Sequence, residues 1–209
     1  MQLPSLAPRR VVVGISGGVD SAVAVARLQA QGFDVHAVTL RTWHAPFIER
    51  EEDPATSASS VARARAIATA LDVPFHVLDL EARFYQDVVT PFIAAYAQGR
   101  TPNPCVTCNP RFKFEALLEV ADRLGAQWIA TGHYARVSRG GVQHTPDGPS
   151  HLLRGCNPAK DQSYVLYRLT QRHLQRLLLP LGTVEDKAEV WDTARRLGFP
   201  IAHDAESQD

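Results

Sequence analysis

Val11-Val12-Val13-Gly14-Ile15-Ser16-Gly17-Gly18-Val19-Asp20-Ser21 joins an apolar run to a glycine turn, and an alanine-rich stretch follows at 22–31. The run at 11–15 reads as a buried parallel strand. Residues 22–31 place Val23, Ala24, Ala26 and Leu28 at helical spacing and end at Gly32, a helix stop. A strand feeding a helix through two glycines is the setting of a phosphate site. Gly17 and Gly18 let the backbone approach an anion closely. The unpaired N–H groups at the helix start, with the helix dipole, favour a pyrophosphate. Ser16 and Ser21 add hydroxyls. Asp20 would repel phosphate unless it holds a bridging cation such as Mg²⁺. No Gly-Lys-Ser/Thr is present, so this is not a Walker loop. The simpler alternative is a tight turn with Asp20 as helix cap.

Outward from this turn, strands are expected at 35–40, 75–80 and 128–131, and helices at 61–71, 84–97 and 111–124. Pro91 should kink the helix at 84–97 or mark its start. Residues 45–57 read as an acidic loop. The stretch at 99–110, punctuated by Pro102, Pro104 and Pro110, reads as neither helix nor central strand. Residues 135–155 read as a hairpin, 162–198 as two or three helices, and 199–209 as loop. Strands alternating with helices imply an α/β, Rossmann-like parallel sheet covered on both faces, with ligands beyond the carboxyl ends of the strands. The expected organisation is a nucleotide-binding catalytic domain at 1–155 and a helical extension at 156–209.

The chain has 209 residues, 45% hydrophobic and 21% charged. That is ordinary globular usage and enough length to bury a core without staples. No apolar stretch approaches a membrane span, and residues 1–10 carry no hydrophobic signal segment, so a cytoplasmic protein without membrane contact is expected. Charge balances at 22 basic and 22 acidic residues, but residues 99–176 hold 11 basic against 5 acidic, a net of +6. Such asymmetry marks an RNA-facing surface or simply a solvated face.

Cys105-Val106-Thr107-Cys108 lies in the Pro-rich stretch. Half a zinc site would need two more ligands, and Cys156 and the eight scattered histidines offer no partner pair at regular spacing. An Fe–S cluster would need a third ligand from elsewhere. A thiolate nucleophile would need cations nearby, which Arg100, Arg111 or Lys113 could supply together with a helix N-terminus. Two inert, buried thiols are the remaining possibility.

The Ser-Gly-Gly-x-Asp-Ser pattern at 16–21 resembles that of the PP-loop ATP pyrophosphatases, which cleave ATP between the α and β phosphates and leave an adenylated substrate. The wider run Gly99-Arg100-Thr101-Pro102-Asn103-Pro104-Cys105, with Cys108-Asn109 and Lys113-Phe114, narrows this. It is similar to the signature of the bacterial tRNA-specific 2-thiouridylases. Further blocks agree in order: Ala130-Thr131-Gly132-His133-Tyr134-Ala135-Arg136, Lys160-Asp161-Gln162-Ser163-Tyr164, Pro180-Leu181-Gly182 with Lys187, and Ser207-Gln208-Asp209.

The resemblance implies 2-thiolation of a wobble uridine in tRNA. ATP adenylates the base, a persulfide donor protein delivers sulfur, and AMP departs. Gly14, Ser16, Gly17, Gly18, Asp20, Ser21, Leu40 and Gly132 would bind ATP with Mg²⁺. Cys108 matches the family's nucleophile. Asn103, Pro104 and Cys105 match the triplet meeting the target base, and His133, Lys160, Asp161 and Gln162 match tRNA-contacting positions. Departures are Cys105, where many relatives have an acid/base Asp, Trp191 in place of Arg, and the lack of an acidic residue around 60–63. Cys105 is therefore a second catalytic candidate, with an Fe–S cluster or a disulfide to Cys108 as its other expected uses. The family continues beyond Ser-Gln-Asp into a segment with the persulfide-bearing cysteine, then a central domain and a β-barrel. This chain alone is therefore expected to bind ATP without completing sulfur transfer. The readings competing with this one are another PP-loop adenylating ligase and a non-enzymatic nucleotide- or metal-binding module.

Overall fold

The computed structural model of the protein describes residues 9–42, 57–139 and 148–199. Most of the loop expected at 45–57, the hairpin tip at 140–147 and residues 200–209 lie outside them. A parallel sheet is built from β1 (Arg10–Gly14), β2 (Asp34–Arg41), β3 (Phe75–Asp79), β4 (Trp128–Ala130) and β7 (Leu177–Leu178), in the order β3-β2-β1-β4-β7. Two antiparallel strands, β5 (Ala135–Ser138) and β6 (His151–Arg154), form the expected hairpin. The helices are α1 (Val19–Ala30), α2 (Ser57–Ala70), α3 (Glu81–Phe84), α4 (Thr90–Ala97), α5 (Pro104–Cys108), α6 (Phe114–Arg123), α7 (Gln171–Leu174) and α8 (Lys187–Arg196).

Strand alternation in β1 divides the core. Val12 points to the face covered by Phe114, Leu117, Leu118 and Ala121 of α6. Val11 and Val13 point to the other face, where Val25 and Leu28 of α1 and Ala64 and Ala68 of α2 pack. All three valines are fully buried. Both faces are thus covered, as the continuous apolar runs imply. The chain leaves β1 toward β2 and β3, then returns to place β4 on β1's other side. The strand order therefore reverses between β1 and β4, and the crevice beyond their carboxyl ends is the expected ligand position.

Two expectations need correction. The Pro-rich stretch is helical from 104 onward: α5 runs into a π-turn, Asn109–Lys113, and then into α6. Pro104 occupies the first turn, where a missing N–H costs nothing, and the Asn103 side chain accepts the Cys105 N–H at 3.0 Å as N-cap. Pro110 falls in the π-turn, whose wider hydrogen-bond register spares the carbonyl clash an α-helix would impose. Secondly, residues 162–198 are not helical throughout, because Leu177–Leu178 forms the edge strand β7 beside Ile129 and Ala130. Pro91 does mark a helix start, near the beginning of α4, again after a π-turn, Tyr85–Val89. α8 packs on α1 through Val190 and Ala194 against Val19, Ala22 and Val23, and Arg27 pairs with Glu189. Among the described residues no helix is long and apolar enough to cross a membrane.

Leu117 is fully buried under β1, whereas Ile93 on α4 is 55% exposed. Leu117→Ala should lower the unfolding free energy by about 2–5 kcal/mol. Ile93→Ala should change it by no more than about 0.5 kcal/mol. Urea midpoints at constant m-value check both.

Candidate functional site

The turn after β1 takes the form that a phosphate requires. Gly17 adopts φ +84°, and a Cβ there would stand 2.8 Å from the Ser60 carbonyl of α2, so the position admits only glycine without rearrangement. Gly18, extended at φ −91° and ψ 163°, caps α1 without any side-chain acceptor. The first-turn N–H groups of α1 therefore lack a capping carboxylate or hydroxyl. Ser21 Oγ donates to the Gly18 carbonyl at 2.9 Å and accepts the Ser16 N–H at 3.3 Å, which folds the turn over itself. Asp20 does not cap the helix. Tyr134 Oη donates to Asp20 Oδ1 at 2.7 Å, and Lys187 Nζ lies 3.6 Å from Oδ2.

β4 delivers the second wall. A Cβ on Gly132 would meet the backbone of Asp20 and Ser21 at 2.9 Å, so the two turns touch main chain to main chain. Next to it His133 is buried, bonded through Nδ1 to Thr131 Oγ1 at 2.7 Å and stacked on Phe114. Burial, with the nearby Lys113 cation adding a smaller part, pulls the His133 imidazole from 6.5 down to about 3.

These elements enclose a cavity of about 310 Å³. Of the residues singled out in the sequence, Gly14, Ser16, Asp20, Ser21, Leu40, Cys108, Gly132, His133 and Gln162 line it. Gly17 and Gly18 shape its rim without lining it. Asn103, Pro104, Cys105, Lys160 and Asp161 are not in its wall. Cys105 packs half-buried against the α6-side core, while Cys108, one turn further along, faces the cavity. Asp161 spends its carboxylate on the Gly155 N–H, the Ser163 N–H and the Ser163 hydroxyl, so it shapes its own turn. Sequence reading passed over Thr39, Thr42, Ser60, Phe112 and Thr131, which also contribute to the wall. The signal for Thr39 and Thr131 was their place at the carboxyl ends of β2 and β4.

Two pairs of residues far apart in sequence are tied together by hydrogen bonds at and beside this cavity. Gln162 accepts the Tyr134 N–H on its side chain at 3.0 Å and donates its own N–H to the Tyr134 carbonyl at 2.9 Å. Buried Asn109, next to Cys108, donates to the Val165 carbonyl at 3.3 Å. All three cysteines are free thiols, so the disulfide expected between Cys105 and Cys108 is not formed.

The family model described as the tRNA methyl transferase HUP domain matches residues 9–209. The chain belongs to this family. It is 49% identical over 201 residues to the tRNA-specific 2-thiouridylase MnmA of Syntrophotalea carbinolica, covering 96% of the chain and 54% of the relative. It is 44% identical over 207 residues to MnmA of Geobacter metallireducens, covering 97% and 55%. The chain thus spans about half the length of these curated relatives, and the resemblance read from its motifs is borne out. Among solved structures, the U34-tRNA thiolase NcsA of Methanococcus maripaludis with its [4Fe-4S] cluster superposes at TM-score 0.54 and 15% identity, over 96% of this chain and 60% of that one. An NMN synthetase of Francisella tularensis does so at 0.52 and 16%, over 93% and 63%. Both show the shared α/β fold of this family.

His133 should stay neutral in the folded protein from pH 8 down to 5, so its imidazole C–H resonances should not titrate there. A folded pKa below the unfolded one stabilises the fold above pH 6.5, and that contribution is lost as pH falls toward 3. His133→Gln should flatten the acid-side loss of stability without removing it, because burial also lowers His36 and His173.

Proposed function

We propose that this chain carries the ATP-dependent half of a tRNA uridine 2-sulfurtransferase and the thiol that serves its second half. One observation carries this reading: the Ser16–Ser21 turn and Cys108 line the same cavity. Of the chemistries named among the relatives, methyl transfer has no use for a triphosphate turn. A thiol beside such a turn suits activation by ATP followed by sulfur delivery.

The residues divide the work. The first-turn N–H groups of α1, with the Ser16 and Ser21 hydroxyls, would receive the β and γ phosphates. Leu40 and Gly132, on either side of β1, would border the adenosine. The uridine C2 oxygen attacks the α-phosphorus, and the bond to the β-phosphate oxygen breaks, releasing pyrophosphate. An amide-like oxygen thereby becomes part of a good leaving group. The terminal sulfur of a donor persulfide then attacks C2, and AMP leaves with the original oxygen. A thiolate attacks the donor's inner sulfur, the S–S bond breaks, and the outer sulfur stays on C2 as the thiocarbonyl. The disulfide formed is reduced by an external thiol. Cys108 is the cavity thiol available to this second step, and Asn103, through its cap on α5, sets the orientation of the turn that bears it. The near-neutral His133 adds a wall that neither repels nor competes for the phosphates.

A donor set of one carboxylate plus substrate phosphates suits Mg²⁺, which keeps several waters and seldom needs more protein ligands. Asp20 would hold it, exchanging its contact with Lys187, and bound Mg²⁺ would neutralise charge on the departing pyrophosphate. An Fe–S cluster fits less well: among the described residues no three His, Cys, Asp or Glu side chains converge as a metal site. No step here uses one. The organisation into a nucleotide-binding part at 1–155 and an extension leading to further domains belongs to this same reading.

Calorimetry with Mg-ATP tests the first half. The chain should bind, and Gly17→Ala should weaken binding by at least tenfold, about 1.4 kcal/mol or more. Pyrophosphate release should require an anticodon stem-loop RNA with a uridine at the wobble position. Cys108→Ser should keep ATP binding and RNA-dependent pyrophosphate release, both of which precede the step assigned to the thiol. No Mg-ATP binding by the wild type, or pyrophosphate release driven equally by small carboxylates without RNA, overturns the proposal.

A further inference from the structure

A second cavity, of about 720 Å³, opens on the far side of Phe112, which walls both cavities. Asp87, Arg111, Glu115, Arg168 and His173 supply its charged and titratable lining. Its carboxylates are already answered. Asp87 pairs with Arg83 at 3.6 Å, and Glu115 pairs with Arg172 at 2.8 Å and lies 3.0 Å from His173 Nε2. Its two guanidinium groups are not: Arg111 and Arg168 make no hydrogen bond, ion pair or ring contact with any described residue. His173 adds to this. Its Nδ1 accepts the Thr170 N–H at 3.2 Å, which leaves the ring proton on Nε2 in the neutral imidazole. That nitrogen is buried and, despite the closeness of Glu115, has no aligned acceptor among the described residues. The cavity thus has an excess of donors and a shortage of acceptors.

Its position relative to the thiol is fixed by the fold. Arg111 stands three residues after Cys108, within the π-turn Asn109–Lys113. Arg168 follows the short turn Ser163–Val165, whose Val165 carbonyl is held by Asn109. The hydrogen bond from Asn109 thus ties the turn that carries Arg111 to the stretch that leads to Arg168, and both arginines line the same cavity. A planar guanidinium matches a phosphate through two parallel hydrogen bonds, and two of them without partners around one hollow are suited to such a group. They lie in the segment 99–176, whose net charge is +6.

We infer that this second cavity takes a backbone phosphate of the RNA whose target base enters the first cavity, with Arg111 and Arg168 as its ligands. The inference rests on the RNA reading given above and adds a subsite to it. Phe112 would then divide a base-and-nucleotide compartment from a phosphodiester compartment. The pair would anchor the strand without reading its sequence, because phosphate contacts position and base contacts specify.

The test uses the present chain and an anticodon stem-loop RNA of about 17 nucleotides, with fluorescence anisotropy at several salt concentrations. Arg111→Gln with Arg168→Gln should weaken RNA binding about tenfold and reduce the salt slope by about 0.7–0.9, the value for one phosphate contact. Mg-ATP binding should stay unchanged. Arg195→Gln with Arg196→Gln, an equal charge loss on α8, should leave the slope as it is. An unaltered slope and affinity in the Arg111/Arg168 variant, with wild-type RNA and Mg-ATP binding intact, overturns the subsite and leaves the proposed function standing. An equal loss in the Arg195/Arg196 variant also overturns it, since a general field would then explain the effect. Inorganic phosphate at about 10 mM bound by the wild type but not by the Arg111/Arg168 variant, with RNA binding equal in both, overturns it in favour of a free anion. A wild type that binds Mg-ATP but no RNA removes the RNA reading itself, and the subsite with it.

Discussion

The close approach of Gly132 to the main chain of Asp20 and Ser21 is the constraint on which the site depends. It brings the turn after β4 against the start of α1 with no side chain between them. Only because that gap is closed can Tyr134, two residues later, reach Asp20 with its hydroxyl. Tyr134 in turn is held at both its N–H and its carbonyl by Gln162. Asn109 holds the neighbouring Val165, which follows Gln162 by three residues, and thereby the Cys108 turn. Four stretches of chain that share no sequence proximity are thus linked in one series of hydrogen bonds. A change at the glycine would propagate to the thiol through groups that are mostly withdrawn from water, where each lost bond costs more than at the surface.

The electrostatics of the cavity are restrained for a phosphate site. Asp20 brings a negative charge to the place where a triphosphate would lie, and in the unliganded fold Lys187 and Tyr134 offset it. His133 is neutral. Lys113 is the cation in the wall, and it lies near enough to His133 to contribute to that neutrality. Most of the favourable field must therefore come from aligned N–H groups and the α1 dipole, which are fixed by folding and need no reorganisation when a phosphate arrives. Lys187 belongs to α8 and Tyr134 to the stretch after β4, so the charge at the turn is set by elements distant in sequence. Local sequence could show that Asp20 needed a cation; it could not show that a lysine 167 positions later supplies one.

Legibility in the sequence follows the same division. The runs at 11–15, 35–40 and 128–131 announced strands of the sheet interior, because a strand buried on both faces is largely apolar. β3 was readable as a short apolar-rich run, although it lies at the sheet edge and is at most half-buried. The glycine turn was legible because φ above zero and a close approach leave few residue choices. The Pro-rich stretch misled, because a rule about helix interiors was applied to a first turn and a π-turn, the two places where proline is tolerated. β7 was invisible, since two residues carry no periodicity, and only the partner strand β4 makes Leu177–Leu178 a strand at all. The cavity wall was readable where a motif supplied it and harder to read where topology did: Thr39 lines it because β2 ends there, and outside that strand-end position nothing in its own neighbourhood says so.

The two cysteines of the Cys105–Cys108 pair show how far geometry refines such a reading. Locally they are alike, both in the same short helix, preceded by the same cap and followed by the same cations, and only the resemblance sets Cys108 apart. In the fold the two thiols separate: α5 ends at Cys108, and the chain runs on through the π-turn Asn109–Lys113 into α6. Cys105 is left half-buried against the α6-side core, a position suited to a small apolar side chain. Cys108 is left on the wall that it shares with Ser16 and Asp20. A thiol at the first position can support packing and the α5 start, whereas under the proposed function a thiol at the second would meet the base activated at the glycine turn. The resemblance singles out Cys108 in the sequence, and in the fold Cys108 is the one of the two that lines the cavity.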